Sequence, residues 1–248
     1  MHPQQVTPAG GTDRLWNVPL APMPSALARA RSCVVREVAA GLLPRSILFA
    51  RGARHSERKR IALTFDDGPD AMTPRYLEVL ERLGARATFF VIGQNVARDR
   101  TAVNEYLRYG HEVGGHGWSH EPFASMNRAQ LTEELSRTEA LLPARRVPRA
   151  LVRPPRGSLS GRALMRLASA GYVAVLWSLD SDDCRTRDPR AIERRLTPRR
   201  VTAGDVVLMH EMQPWTLDAL PGVVRALHGA GYETVTVSEL MKGDESAS

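Results

Sequence analysis

Short apolar runs alternate with longer amphipathic stretches over most of the chain. In "RIALTFDDGPD" (60–70), large apolar residues alternate with smaller ones, which predicts a largely buried strand that ends at a Gly-Pro turn. The following stretch, "TPRYLEVLERLG" (73–84), predicts a helix with Thr73 as its N-terminal cap and proline in its first turn. The pattern therefore begins with a strand followed by a helix.

The same alternation continues towards the C-terminus. Further strands are predicted at 87–92, 112–116, 150–153, 172–179, 205–210 and 232–237. Further helices are predicted near 95–109, 128–142, 160–170, 188–196 and 216–230. This order predicts an α/β fold in which helices cover a parallel sheet. In such folds the functional residues gather at the carboxyl ends of the strands.

The N-terminal part has a different pattern. Residues 1–24 are rich in Pro, Gly and Thr without periodicity, whereas 25–43 could form an amphipathic helix. The arginine-bearing side of that helix could touch a membrane surface, but packing of its apolar face on the domain is the preferred interpretation. We divide the chain into an N-terminal arm (1–57), one α/β domain (58–242) and a tail (243–248).

Composition narrows the class of protein. The 248 residues are 43% apolar and carry a net charge of +7. Nucleic acid is not expected as a partner, because the arginines are scattered and no nucleic-acid motif accompanies them. The two cysteines give no disulfide framework, and the N-terminus lacks an export signal. No charge-free apolar run approaches the ~18 residues of a membrane span. We therefore expect a soluble, cytoplasmic monomer.

Chemically active residues follow two of the predicted strands. Asp66 and Asp67 are adjacent carboxylates at a strand end, where burial is costly unless a cation or a shared proton stabilises them. His116 and His120, in "HGWSH", are four residues apart, which is one turn of a helix. Two histidines and one carboxylate form a metal-binding set that leaves positions open for water and substrate. The second aspartate could then act as a base.

Five motifs in order resemble those of the polysaccharide deacetylases, carbohydrate esterase family 4, over residues 58–240. They are "TFDDGP", "HGWSH", "RPPRG" (153–157), "DSDDC" (180–184) and "LMH" (208–210). The resemblance implies a distorted (β/α) barrel of parallel strands, with fewer strands than a TIM barrel. It also implies a hydrolase that uses Zn²⁺, or another divalent transition metal such as Co²⁺, Ni²⁺ or Mn²⁺.

The resemblance also implies roles for individual residues. Asp67, His116 and His120 would bind the metal. The catalytic residues would be Asp66 as general base, Arg153 in contact with that base, Asp183 as the acidic support and His210 as general acid. Leu208 would form a wall of the acetyl pocket. After its two prolines, Arg156 would offer the first backbone N–H to the oxyanion.

Residues outside the motifs allow other interpretations. Trp215, just after the His210 loop, could stack on a sugar, whereas Trp177 is better explained as a core residue and His111 as a structural one. Three positions depart from the family pattern: Gly117 replaces a usual Ser or Thr, Arg156 an aromatic residue, and Cys184 a tryptophan. These departures affect the substrate groove.

The sequence therefore predicts removal of N-acetyl groups from amino sugars of a glycan or glycolipid, with peripheral membrane contact as an option. Alternatives with the same chemistry are deformylation of a lipid-linked amino sugar, deacetylation of xylan and hydrolysis of a cyclic amide. An inactive glycan-binding module is the alternative from another class.

Overall fold

Nine parallel strands form one sheet in the computed structural model, which describes residues 43–54, 58–143 and 149–243. The strands are β1 (Leu48–Phe49), β2 (Lys59–Asp66), β3 (Ala87–Val91), β4 (Glu112–Gly115), β5 (Ala150–Val152), β6 (Tyr172–Val175), β7 (Leu179–Asp180), β8 (Val206–His210) and β9 (Tyr232–Thr234). Their order is β1-β6-β5-β4-β3-β2-β8-β7, and β9 pairs with the start of β2. The predicted parallel α/β sheet is confirmed. The predicted helix at 25–43 lies outside the described residues.

Helices cover the sheet. They are α1 (Thr73–Arg82), α2 (Gly93–Arg98), α3 (Ala102–Arg108), α4 (Arg128–Glu139), α5 (Gly161–Ser169), α6 (Asp183–Thr186), α7 (Pro189–Arg195), α8 (Pro214–Gly229) and α9 (Val237–Lys242). Short 3₁₀ turns occur at Phe123–Ser125 and Pro155–Gly157. In the part of the chain that the structure describes, every helix is too short or too polar to span a membrane.

The sheet closes on itself through one bent segment. The single strand predicted at 172–179 is in fact two strands, β6 and β7, at opposite sides of the sheet order. Only residues 176–178 connect them: Leu176 N–H donates to Phe49 O, and Ser178 N–H donates to Val206 O. The chain therefore crosses from one edge to the other and gives a distorted (β/α) barrel, as expected.

Alternate residues of β2 face two different environments. Ile61, Leu63 and Phe65 are fully buried against α1 and α8, in a cluster that includes Leu80 and Leu220. The residues between them point to the opposite face, where Ala62 packs in a second cluster with side chains from β5, β6 and β8. This two-residue period brings Asp66 to the same face as Ala62, at the carboxyl end of the barrel.

Three local predictions were wrong. Thr73 is the first residue of α1 and does not cap it; Met72 occupies the cap position, and the Thr73 hydroxyl instead accepts from Asp70 N–H and donates to Glu211. The helix predicted at 95–109 is two helices, α2 and α3. The strand predicted at 232–237 ends early, because Thr236 caps α9 in a capping box with Glu239.

Candidate functional site

The two adjacent aspartates lie in different surroundings. Asp66 is the last residue of β2 and is almost completely buried. Asp67 follows with a left-handed backbone (φ 78°), and Asn95 Nδ2–H donates to its carbonyl at 2.8 Å. A non-glycine residue at positive φ is strained, and such strain is concentrated at functional sites. The reversal of the backbone sends the two carboxylates to different partners.

His116 and His120 converge on Asp67. Their Nε2 atoms lie 3.6 Å and 3.3 Å from Asp67 Oδ1, and each of the three residues offers one ligand atom within 4.8 Å of the others. His116 Nδ1–H donates to Arg153 O at 2.8 Å, which leaves Nε2 as the free donor atom. Burial lowers the pKa of His120, which favours the neutral imidazole that binds metals.

A divalent metal fits this group of side chains. Asp67 Oδ1 is buried and has no hydrogen-bond partner among the described residues, although buried carboxylate oxygens are normally satisfied. It is flanked by two imidazole nitrogens, and two nitrogens with one oxygen are a ligand set that Zn²⁺ and related ions prefer. The observed geometry therefore agrees with the metal site expected from the sequence, while the identity of the ion stays a prediction.

The spacing of the two histidines predicts one helical turn, and this prediction is wrong. They lie in the loop after β4, and His120 ends that loop with φ 64°. Gly117 also has positive φ (77°), and a Cβ there would come within 3.2 Å of the Glu134 carboxylate. Turns at Gly117 and His120, rather than helical periodicity, bring the imidazoles together.

Glu134 on α4 holds the histidine loop, and the sequence analysis missed it. Its Oε2 accepts from the N–H groups of Trp118 (2.7 Å) and Ser119 (3.0 Å), and its Oε1 accepts from the Ser119 hydroxyl (2.7 Å). The carboxylate thus satisfies three donors between the two histidines. A glutamate in an amphipathic helix carries no sequence signal for this contact.

Arg153 is buried with 0% exposure beneath Asp66. Its Nη1 donates to Asp66 Oδ1 at 2.7 Å and to the Thr64 hydroxyl at 2.7 Å, and its other nitrogens donate to carbonyls at the end of β6 and just beyond it. The centroid of the Phe90 ring lies 4.2 Å from the guanidinium carbon. Asp66 Oδ1 is therefore engaged in this ion pair, whereas Asp66 Oδ2 faces His116 Nε2 at a distance of 3.7 Å.

His210 lies beside Asp66 because the two are paired residues in β8 and β2. Its Nδ1–H donates to Asp183 Oδ1 at 2.8 Å, and its backbone N–H donates to Asp183 Oδ2 at 2.7 Å. Thr216 Oγ1 also donates to Oδ2. Burial opposes the charged imidazole, but the Asp183 carboxylate outweighs it and raises the pKa of His210 well above its usual value. His210 therefore keeps a proton on Nε2 at neutral pH.

The remaining predicted residues lie around these groups. Leu208, two positions before His210 on β8, is 4% exposed and packs in the second cluster, which also contains Ala62. Arg156 is exposed and has a left-handed backbone (φ 57°). Its positive charge is one of the causes, after burial, that lower the pKa of His120. Trp215 is half-buried, with the Arg187 guanidinium 5.6 Å from its ring centroid.

The two residues assigned to structure lie in the interior. Trp177 is 8% exposed and packs in the same second cluster as Ala62. His111 is buried at the start of the β4 segment and accepts a hydrogen bond from Ala87 N–H through Nδ1. Burial lowers the pKa of His111 to about 4, so it stays neutral. Both side chains thus have the structural environments that the sequence indicated.

Glu211 is a second carboxylate that sequence reasoning missed. It is completely buried behind the Asp66–Asp67 turn, and Thr73 and Tyr106 donate to it from α1 and α3. A Cβ at Gly68 would overlap its carboxylate, so glycine is required there. Burial raises the pKa of Glu211 to about 8. Its place directly after His210 was the only sequence signal.

Comparisons with known proteins identify relatives of this chain. Residues 53–175 match the polysaccharide deacetylase family model. The chain is 33% identical over 193 residues to a peptidoglycan-N-acetylglucosamine deacetylase of Bacillus cereus, an alignment that covers 75% of this chain and 90% of that protein. It is 30% identical to PgdA, the peptidoglycan-N-acetylglucosamine deacetylase of Listeria monocytogenes, in an alignment of 225 residues that covers 90% of this chain. The same alignment covers 47% of PgdA, so the chain spans about half the length of that relative.

A solved structure shares the fold. The Bc1960 peptidoglycan N-acetylglucosamine deacetylase superposes with a TM-score of 0.74 at 27% identity, covering 80% of this chain and 94% of that one. Sequence and fold therefore point to the same family.

Proposed function

Because the chain belongs to the polysaccharide deacetylase family, we propose that it is a metal-dependent hydrolase that removes N-acetyl groups from amino sugars of a glycan. Relatives that act on N-acetylglucosamine in peptidoglycan support this substrate class. The observation that carries the proposal is that two adjacent carboxylates, those of Asp66 and Asp67, have different surroundings. Asp66 is paired with Arg153, whereas Asp67 presents to two imidazoles an oxygen that has no hydrogen-bond partner within the described ranges.

Asp67, His116 and His120 would hold the metal, for which we propose Zn²⁺. When bound, such an ion supplies a Lewis acid that polarises the acetamide carbonyl and makes water more acidic. Asp66 takes the proton from the attacking water through Oδ2, since Arg153 already occupies Oδ1. The Arg153 side chain fixes the position of that base from below.

His210 supplies the proton that the amine needs in order to depart. Its proton is on Nε2, because Nδ1 is bonded to Asp183, and the raised pKa keeps this acid form at neutral pH. The backbone N–H of Arg156 would donate to the developing oxyanion, since the two residues before it are prolines and have no N–H. Leu208 would line the acetyl pocket, and Trp215 would contact the sugar.

The test is acetate release from peptidoglycan, chitin oligomers and acetylated xylan, with Asp66→Asn as the matched variant. Asparagine has the same shape but cannot take a proton, so kcat should fall roughly 10²–10⁴-fold while bound metal stays unchanged. Release of N-linked acetate by the wild type, with this loss in the variant, supports the proposal. Release only from xylan would favour the esterase alternative, and release from none of the substrates would favour the inactive module.

A further inference from the structure

The proposed mechanism leaves one reactive side chain in the site unused. Cys184 is half-buried in α6, directly after Asp183. Its Sγ, one Asp183 carboxylate oxygen and one His210 ring nitrogen all lie within 4.8 Å of one another. Burial raises the pKa of the Cys184 thiol, and the neighbouring His210 side chain opposes this rise. This cluster shares no residue with the group formed by Asp67, His116 and His120.

Hydrogen bonds decide which atoms of the cluster remain available. Asp183 Oδ1 accepts from Cys184 N–H and His210 Nδ1–H, and Oδ2 accepts from His210 N–H and Thr216 Oγ1. The carboxylate is therefore fully engaged, and so is Nδ1 of His210. Two donor atoms are left: Cys184 Sγ and His210 Nε2.

We propose that Cys184 Sγ and His210 Nε2 form a second metal site, which takes a thiophilic divalent ion such as Cd²⁺ or excess Zn²⁺. Thiolate and imidazole are the ligands that these ions prefer. Asp183 holds the histidine ligand by its other nitrogen, the usual arrangement for a metal-binding histidine. Its negative charge also attracts a cation to this position.

Binding at this site exchanges protons for metal. The ion forms bonds to Sγ and Nε2, while the thiol proton and the Nε2 proton of the imidazolium leave to solvent. His210 then has no proton to give to the departing amine. The second ion is therefore an inhibitor of the proposed deacetylation, and this consequence rests on the proposed function.

Binding itself is tested without any substrate. Cys33 is the only other cysteine in the sequence, so Cys33→Ala provides a background in which Cys184 is the sole thiol. The protein is loaded with one equivalent of Zn²⁺ and titrated with Cd²⁺, and the ultraviolet thiolate-to-Cd²⁺ charge-transfer band is recorded. Ions in the Asp/His/His site give no such band, because that site contains no sulfur.

The expected result is a band that saturates with one equivalent of Cd²⁺ in Cys33→Ala and is absent in Cys33→Ala/Cys184→Ala. Adding His210→Asn should weaken Cd²⁺ binding at least about tenfold, the low end of what disturbed metal sites lose. Unchanged circular dichroism and retained Zn²⁺ would show that each variant is folded. A missing band in Cys33→Ala, or Cd²⁺ affinity unaffected by His210→Asn, would overturn the proposed site.

Inhibition is tested separately. With acetate release expressed relative to each protein's own level without excess Zn²⁺, Cys184→Ala should need at least about tenfold more Zn²⁺ for half-inhibition than the wild type. Equal sensitivity of the two proteins would overturn the inhibitory role. If neither protein releases acetate, the proposed function fails, and the Cd²⁺ band still decides whether the second site exists.

Discussion

Asp66 and Asp67 show how one peptide unit can separate two chemical tasks. The extended backbone of β2 directs Asp66 inwards to Arg153, and the left-handed turn at Asp67 directs the next carboxylate to the two histidines. A lone Asp-Asp pair would repel itself in a buried site. The pair is acceptable here because one member has a guanidinium and the other has a place for a cation.

At the same scale, Arg156 is a candidate for substrate selection. Its positive charge is one of the causes that lower the pKa of His120, after burial, so Arg156 acts on a group in the site. A fixed cation there would favour a uronate, a lactyl ether or a phosphate near the scissile acetamide. Arg156→Tyr restores the aromatic residue that is usual in the family. It should lower kcat/KM on anionic glycans by the factor that corresponds to about 1.5–3 kcal/mol, the value of a lost charged hydrogen bond.

Kinetics on paired substrates would check this prediction. Neutral chitin oligomers should be spared, and Arg162→Tyr on α5, which changes another exposed arginine, should affect neither substrate. A parallel loss on anionic and neutral glycans would count against selection by charge.

Motif residues could be grouped from the sequence, whereas their supporting contacts could not. Asp66, His116 and His210 are the last residues of predicted strands. Because parallel strands end at one edge of the sheet, their convergence follows from the pattern. Their roles stay predictions. Glu134 had no such signal and Glu211 had only its place directly after His210, which is weak because a glutamate in a helix or after a strand is normally solvated. Only the fold shows that each carboxylate is met by donors from distant segments.

At the scale of elements, α4 and the histidine loop act as one unit. Glu134→Ala would leave the N–H groups of Trp118 and Ser119 without their acceptor, so the loop should lose its fixed shape. Affinity for Zn²⁺ should fall roughly 10–100-fold, the usual effect of losing a group that orients metal ligands. Competition with a chelating dye measures this loss.

Glu133→Ala is the matched control. Glu133 is the preceding residue on α4. Its carboxylate is exposed, and in the part of the chain that the structure describes it pairs only with Arg137, at 3.4 Å. Equal Zn²⁺ affinity in the two variants would mean that Glu134 does not position the ligands. Glu134→Gln, which keeps an acceptor oxygen, should recover part of the affinity.

The predicted boundaries of helices and strands were wrong where a tertiary contact overrides a local preference. The run at 172–179 is continuous in apolar character, yet it divides into β6 and β7 because it must pair with β1 and β8 in turn. Threonine is a residue type favoured at helix caps, but the Thr73 hydroxyl donates a hydrogen bond to Glu211 instead. Neither long-range partner is visible in a local window.

For the molecule as a whole, Glu211 makes stability depend on pH. Burial raises its pKa from 4.5 to about 8, so between these values the folded state holds a proton that the unfolded state has lost. Stability must therefore fall as pH rises from about 5 to about 8, with a limiting slope on the order of 1.4 kcal/mol per pH unit. Glu211→Gln, which is neutral throughout, should lack this contribution.

Urea denaturation of the metal-free wild type and variant across this range measures the difference. The unfolding free energy of the wild type should decline relative to that of Glu211→Gln, by a few kcal/mol in total. Parallel pH profiles of the two proteins would show that Glu211 is ionised in the folded state throughout.

Metal-dependent release of acetate is the central claim, and one reconstitution experiment tests it most directly. The protein is stripped with a chelator, supplied with one equivalent of Zn²⁺, and assayed for acetate release from peptidoglycan that contains N-acetylglucosamine. We predict no release from the stripped protein, full recovery with Zn²⁺, and neither tight Zn²⁺ binding nor recovery in His120→Ala. Undiminished release from the stripped protein, or from His120→Ala, would contradict the account.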